Sequence, residues 1–203
     1  MKSERILALD ISTKTGWSLA EITGDDQRYY LICAGTLAKR DQPHDDYPEN
    51  YLDWAISCAS DIEELIIAHK PDRLIIEETS KGSKNNFSQK ILEFIHCFVA
   101  MYVAKTKIPT TYYRSGEWRT LCGCLMNDEE KRQNASVRKQ RKKGIKVAKN
   151  AEGKRIGIVG KKHVNVRRAN EIFNKELKLK DEDQADSLLL GYAYYLEQKT
   201  QKG

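Results

Sequence analysis

Apolar and polar positions alternate between two periods along this chain. Residues 5–10, Arg-Ile-Leu-Ala-Leu-Asp, form a short apolar run that ends in an acid, the pattern of a buried strand. Thr15 to Ala20 and Tyr29 to Leu37 read as two more strands, the first following a tight turn at Ser12–Gly16. From Tyr51 to His69 the period becomes helical, with Leu52, Ala55, Ile56, Ile62, Leu65 and Ile66 able to share a face. Pro71-Asp72 stops that helix, and Leu74-Ile75-Ile76 is again a buried strand, ending in Glu77-Glu78. Ser88 to Ala104 predicts a second long helix, Thr110 to Tyr113 a strand, and Ser115 the cap of a short helix carrying Trp118 and Leu121. Helical spacing returns over Val164–Leu177 and Asp183–Leu196. An opening meander followed by alternating strands and helices predicts an α/β layer fold with a mixed sheet.

Residues 127–160 break the pattern, being polar, basic and almost free of apolar runs. They are expected to be a basic insertion or flexible segment within a single domain spanning 1–203, the length of one ordinary domain. The net charge of +6 hides a strong segregation. Between Lys131 and Arg168 lie fifteen of the 35 Lys and Arg residues and one of the 29 acids, Glu152. That segment carries +14 and the remainder −8, the electrostatic footprint of a polyanion binder.

Five cysteines without framework spacing argue against a disulfide scaffold. The first apolar run is too short for a signal peptide, and no stretch reaches the roughly 20 apolar residues of a membrane span. A cytoplasmic, membrane-free protein is expected. Cys122-Gly-Cys124 has no second Cys or His pair at zinc-finger spacing, so zinc is not expected. His163 reads as an exposed histidine in a basic run, and Tyr192, Tyr194 and Tyr195 as packing residues.

The acids carry the chemical information. Asp10 ends the first strand and Glu77 ends the first strand after a long helix, where functional groups collect in open α/β sheets. Side chains alternate along a strand, so only one of Glu77 and Glu78 faces such a site. Asp183 and Asp186, three apart at a helix start, share a face. Converging carboxylates repel unless a cation neutralises them, and oxygen donors suit Mg²⁺ or Mn²⁺. Two such ions are the apparatus of phosphodiester hydrolysis.

Leu9-Asp10-Ile-Ser-Thr-Lys-Thr-Gly16-Trp17 resembles the opening hairpin of RuvC-type Holliday junction resolvases, in which a strand-end Asp precedes Thr-Gly and an aromatic residue. Ile75-Ile76-Glu77 resembles the family's second acid motif, and Asp183-Gln-Ala-Asp186-Ser its C-terminal acidic helix. Glu117-Trp118-Arg119 is reminiscent of the phage and poxvirus branch. The resemblance implies an RNase H-like mixed five-stranded sheet flanked by helices. It also implies two Mg²⁺ ions per site, with Mn²⁺ as a substitute, and a homodimer that nicks branched DNA. It assigns Asp10, Glu77, Asp183 and Asp186 as catalytic metal ligands and Lys162, with Lys161 the alternative, as a catalytic lysine near the scissile phosphate. Ile11-Ser12 stands where the family has Pro-Gly, and the segment from Lys131 to Lys162 is longer and more basic than the family's. Both departures bear on which branched DNA is cut.

Lys81, Lys84 and Phe87, in the loop after Glu77, are candidates for holding phosphates or stacking bases, with Phe87 in the core as the competing account. Arg138, Arg141, Lys142, Lys143, Lys161 and Arg167 are the further nucleic-acid-binding candidates. Two other functions compete. One is an ATP-dependent phosphotransferase of the actin and sugar-kinase type, whose first phosphate loop also follows a strand-end Asp. The other is a non-catalytic DNA-binding module, for which carboxylates facing DNA would be a liability.

Overall fold

A computed structural model of the chain describes residues 3–24, 27–38, 46–79, 86–146 and 157–201. Five strands make one mixed sheet: β1 (Glu4–Asp10), β2 (Gly16–Ile22), β3 (Tyr29–Thr36), β4 (Arg73–Glu77) and β5 (Thr110–Tyr113), in spatial order β3-β2-β1-β4-β5. The first three pair antiparallel, whereas β4 and β5 run parallel to β1. The helices are α1 (Glu49–His69), α2 (Asn86–Thr106), α3 (Ser115–Leu121), α4 (Asp128–Lys142), α5 (Lys161–Phe173) and α6 (Glu182–Gln201).

The period-2 alternation of the central strands divides the core in two. Leu7, Leu9, Leu74 and Ile76 point to the face covered by α1 and α2, where they meet Ala55, Ile62, Ile91 and Ile95. Ile6, Ala8 and Ile75 point to the opposite face, beneath Trp118, Ala169, Ala185 and Leu189 of α3, α5 and α6. Each fully buried Leu or Ile contributes roughly 1.5–3 kcal/mol, so both faces are strongly held.

α6 lies unusually close to the sheet, and small residues allow it. A Cβ added at Gly191 would stand 3.3 Å from the Ala8 Cβ and 3.0 Å from the Tyr29 hydroxyl. Ser18 adds a tie, donating from its hydroxyl to the Ser187 carbonyl at 2.9 Å. At the helix start the fit is tighter still, since a Cβ on Gly16 would fall 1.8 Å from the Asp183 carbonyl oxygen.

The expected elements form, with local differences. α1 ends as Lys70 adopts a left-handed conformation (φ 46°) just before Pro71. Ser115 is the first residue of α3 rather than its cap, which is Arg114. α5 stops at Phe173 instead of continuing to Leu177. Asn174 turns left-handed there, and the Asn170 amide binds both the N–H and the carbonyl of Leu177. The largest addition is α4, a helix not drawn from the sequence, which lies inside the segment expected to be a basic insertion or flexible segment. Asn127 and Glu130 close a capping box, acids fill its first turn, and Lys139, Arg141 and Lys142 sit in its last, so caps and dipole stabilise a helix with little apolar periodicity. The stretch 147–156 lies outside the described residues.

The close approach at Gly16 generates a test. Gly16→Ala forces a methyl against backbone, so α6 must retreat. The expected effect is a destabilisation of about 1–3 kcal/mol, the usual range for overpacking, read as a lowered midpoint in urea. An unchanged midpoint would contradict the tight seating of α6.

Candidate active site

The register between β1 and β4 places the first two acids. Leu9 pairs with Ile76 across the parallel ladder. The next residues, Asp10 and Glu77, therefore stand side by side at adjacent strand ends, about 4.8 Å apart in backbone spacing. Alternation turns both toward α6. Ile11 falls on the opposite face and is buried in the α1/α2 core. Glu78 is exposed and pairs with Arg114 at 3.3 Å. Strand geometry thus selects Glu77 over Glu78.

α6 supplies the other two acids. Its close seating on Gly16 brings Asp183 and Asp186, one helical turn apart, over the same strand ends. The four carboxylates feel one another. The Asp10 carboxyl is held well above its ordinary value, first by burial and then by the charges of Asp186, Glu77 and Asp183. Asp186 is pushed up to about 6, chiefly by burial. Glu77 and Asp183 are also raised, again mainly by burial.

Cations and neutral donors from three segments surround the acids. Arg119 of α3 directs its guanidinium at Asp186, 3.5 Å away, while lying 4.4 Å above the Trp118 ring and bonding Ser115. Lys14, in the β1–β2 loop, reaches Asp183 at 3.4 Å and donates to the Lys180 carbonyl at 3.0 Å. Asn165 of α5 donates to Asp186 Oδ1 at 2.8 Å, and the Trp118 indole N–H donates to Glu77 Oε2 at 2.7 Å. Lys161 and Lys162 open α5 beside the cluster. The charge of Lys161 favours ionised Glu77 and that of Lys162 favours ionised Asp183, while the Lys162 ammonium pairs with Glu182.

Among the described residues, no three His, Cys, Asp or Glu side chains form a ready-made cation cage. The donor set nevertheless fits a hard divalent ion: it is all oxygen, and its members raise one another's pKa. Two buried polar atoms beside Asp186, the Arg119 Nε and the Asn165 Oδ1, have no hydrogen-bond partner among the described residues. Buried orphans of this kind mark space for water or an ion's water shell.

The other sequence candidates fall in different places. Arg138, Arg141, Lys142 and Lys143 are exposed on the outer face and end of α4. That helix is tied to the approach to α5: the Asn134 amide bonds both the N–H and the carbonyl of Val159, at 2.7 and 2.9 Å. Arg167 is engaged elsewhere, bridging Glu130 and Glu171 and donating to the Leu125 carbonyl, so it locks α4 to α5. Phe87 packs against Tyr51 with ring centroids 4.8 Å apart, the core placement weighed for it. Lys81 and Lys84 lie outside the described residues. The Cys122 thiol is buried and directed at the Leu189 carbonyl at 3.1 Å, a packing role. His163 accepts the Gly160 N–H at 3.2 Å and caps α5. Tyr194 is buried and bonds Glu4, in keeping with a packing residue.

Sequence reasoning missed four members of the site. Lys14, Trp118 and Arg119 each lay inside a stretch noticed for other reasons. Asn165 carried no signal, because its role depends on α5 crossing α6.

No family model and no curated protein matches the sequence. Among solved structures, Thermus thermophilus RuvC in complex with Holliday junction substrate superposes with a TM-score of 0.62 at 9% identity, covering 97% of this chain and 96% of that one. The yeast mitochondrial Holliday junction resolvase Ydc2 gives 0.58 at 14% identity, over 98% of this chain and 80% of that one. The fowlpox virus resolvase in complex with Holliday junction DNA gives 0.50 at 14%, over 96% and 98%.

The raised acids predict an inverted pH dependence in metal-free protein. Asp186 holds its proton to about pH 6 when folded, against 3.8 for an unperturbed group. Between those values the folded state binds more protons than the unfolded one, so this group's stabilising contribution is lost as pH rises. The difference corresponds to about 3 kcal/mol. Urea midpoints measured in chelator from pH 4 to 7 should fall less steeply for Asp186→Asn than for the native chain. Identical slopes would contradict a buried, proton-retaining Asp186. From β1 through α6, the chain has the RNase H-like fold of the Holliday junction resolvases.

Proposed function

We propose that this chain is a divalent-metal-dependent, structure-selective endodeoxyribonuclease that nicks Holliday junctions and other branched DNA as a homodimer. The observation that carries the reading is the convergence of Asp10, Glu77, Asp183 and Asp186 on one end of a resolvase-type sheet.

In this reading the four carboxylates hold two Mg²⁺ ions, or Mn²⁺ in their place. When bound, the ions supply Lewis-acid assistance to an attacking water and to the leaving oxygen of a phosphodiester. Asp10 and Glu77, fixed by the sheet, form the rigid half of the site. Asp183 and Asp186 form the half carried by α6. Lys161 and Lys162, at the positive end of the α5 dipole, attract the scissile phosphate and balance charge that develops there. Lys162 is the expected catalytic lysine, with Lys161 the alternative, a reading supported by the influence of their charges on Asp183 and Glu77 respectively.

The DNA arms need cations outside the acid cluster, since the cluster itself repels phosphate. The exposed Arg138, Arg141, Lys142 and Lys143 of α4 supply them, and Asn134 and Arg167 fix that helix relative to α5. Lys81 and Lys84 follow Glu77 in the chain and are proposed to add phosphate contacts. No helix among the described residues is long and apolar enough to cross a membrane.

A panel of four-way, three-way, flap and linear duplex DNA, incubated with Mg²⁺ or Mn²⁺, tests the reading. Paired nicks in the four-way junction are expected. Asp10→Asn or Glu77→Gln should lower nicking by at least the roughly 100-fold that outer partners of a metal site can cost, with junction binding retained. Full nicking by either variant would refute the site. ATP hydrolysis without nicking would point to the phosphotransferase class.

Charge reversal on α4 is a separate test. Arg138→Glu with Arg141→Glu should weaken junction binding and flatten its dependence on log salt by about 0.9 for each phosphate that is no longer neutralised. An unchanged salt slope would remove α4 from the DNA path.

A further inference from the structure

Trp118 is fully buried and is among the largest side chains in the core. Its single polar atom is the indole N–H, which can donate but not accept. A buried donor needs a partner, and this one has Glu77 Oε2 at 2.7 Å. The ring has no freedom to look elsewhere. It is packed in the cluster containing Ile75, Ala185 and Leu189. Arg119 covers one face at 4.4 Å, and α3 is pinned at its start by the Glu117 carboxylate, which accepts the Arg114 N–H at 2.9 Å.

We propose that Trp118 is a positioning residue for Glu77, fixing the carboxylate rotamer by binding Oε2 and leaving Oε1 to face the acid cluster. The inference rests on the metal-site reading given above. A neutral donor suits this task. An Arg or Lys in the same place would orient Glu77 but also cancel its charge, competing with the cation the cluster exists to hold. The indole fixes direction without adding a positive charge of its own. Asn165 likewise gives Asp186 a neutral donor at Oδ1, although Asp186 Oδ2 also meets the Arg119 guanidinium at 3.5 Å. The contrast with Glu78 is direct: that carboxylate pairs with a cation, Arg114, and is exposed.

The test uses the full chain without DNA. In a ¹H–¹⁵N spectrum the three tryptophans give three indole signals, and the one that disappears in Trp118→Phe is assigned to Trp118. That signal should move in Glu77→Gln and should shift during a Mg²⁺ titration of the native chain. Trp118→Phe should weaken Mn²⁺ binding, measured by calorimetry, by about 10- to 100-fold, the usual effect of removing an outer partner of a metal ligand. Should Trp118→Phe fail to fold, selective labelling of the native chain and of Glu77→Gln still decides the matter. An indole spectrum identical in native chain and Glu77→Gln overturns the proposal, as does Mn²⁺ affinity in folded Trp118→Phe within about twofold of native, far short of that range. A folded Glu77→Gln that nicks junctions at the native rate would instead overturn the nuclease reading, so the two failures are distinguishable.

Discussion

Four carboxylates brought to one place repel, and most of what is particular about this molecule follows from holding them there. Two like charges about 4 Å apart cost roughly 4 kcal/mol at a protein-like effective dielectric. Folding meets that cost in part by letting protons stay, as at Asp10 and Asp186, and in part with cations brought from separate elements. Lys14 comes from the β1–β2 loop, Arg119 from α3, and Lys161 and Lys162 from α5. The acids themselves stand on stiff supports, two central strands and a helix with no room to retreat. An arrangement that stores repulsion in rigid elements is expected to bind divalent cations well, because the cation replaces protons and relieves the repulsion without the scaffold moving.

The same constraint explains the uneven spread of charge along the sequence. Under the proposed nuclease function, the site would approach a polyanion with its own negative cluster foremost. Attraction would then have to be supplied at a distance, and α4, which has no acids beyond its first turn, is the proposed source. That first turn is acidic for a structural reason, since Asp128, Glu129 and Glu130 stabilise the positive end of the helix dipole. Arg167 shows how a basic residue in this region can serve packing instead, with its guanidinium held by Glu130 and Glu171.

Elements with a strong period were legible in the sequence, as were the acids placed by that period. β1, β4 and α6 could be drawn from hydrophobic spacing alone, which put Asp10, Asp183 and Asp186 at element ends, while the resemblance to the resolvase motifs singled them out as candidates. Glu77 against Glu78 was a matter of which face the strand turned inward, and a single strand cannot say where its neighbours lie. The register of Leu9 with Ile76 settles it. α4 was missed because its stability comes from caps, dipole and an anchored amide rather than from an apolar stripe. Asn165 and Arg119 were missed for another reason. Their roles exist only where α5 and α3 cross α6, and one-dimensional spacing does not encode a crossing.

Glu77 and its neighbour Glu78 show how chemistry is assigned within one dipeptide. Both are glutamates at the end of the same strand, and their intrinsic acidity is equal. What separates them is the partner each meets across the pleat. Glu78 meets water and a guanidinium, which neutralise it. Glu77 meets a buried ring whose only polar group is a neutral N–H, which fixes its direction without pairing it to a cation. Burial alone would raise the cost of that charge and favour the protonated acid. A hydrogen bond to the ionised form works against burial, and Trp118 does so here, lowering what desolvation raises. The indole therefore acts on direction and on charge together, which an apolar side chain of the same size would not do.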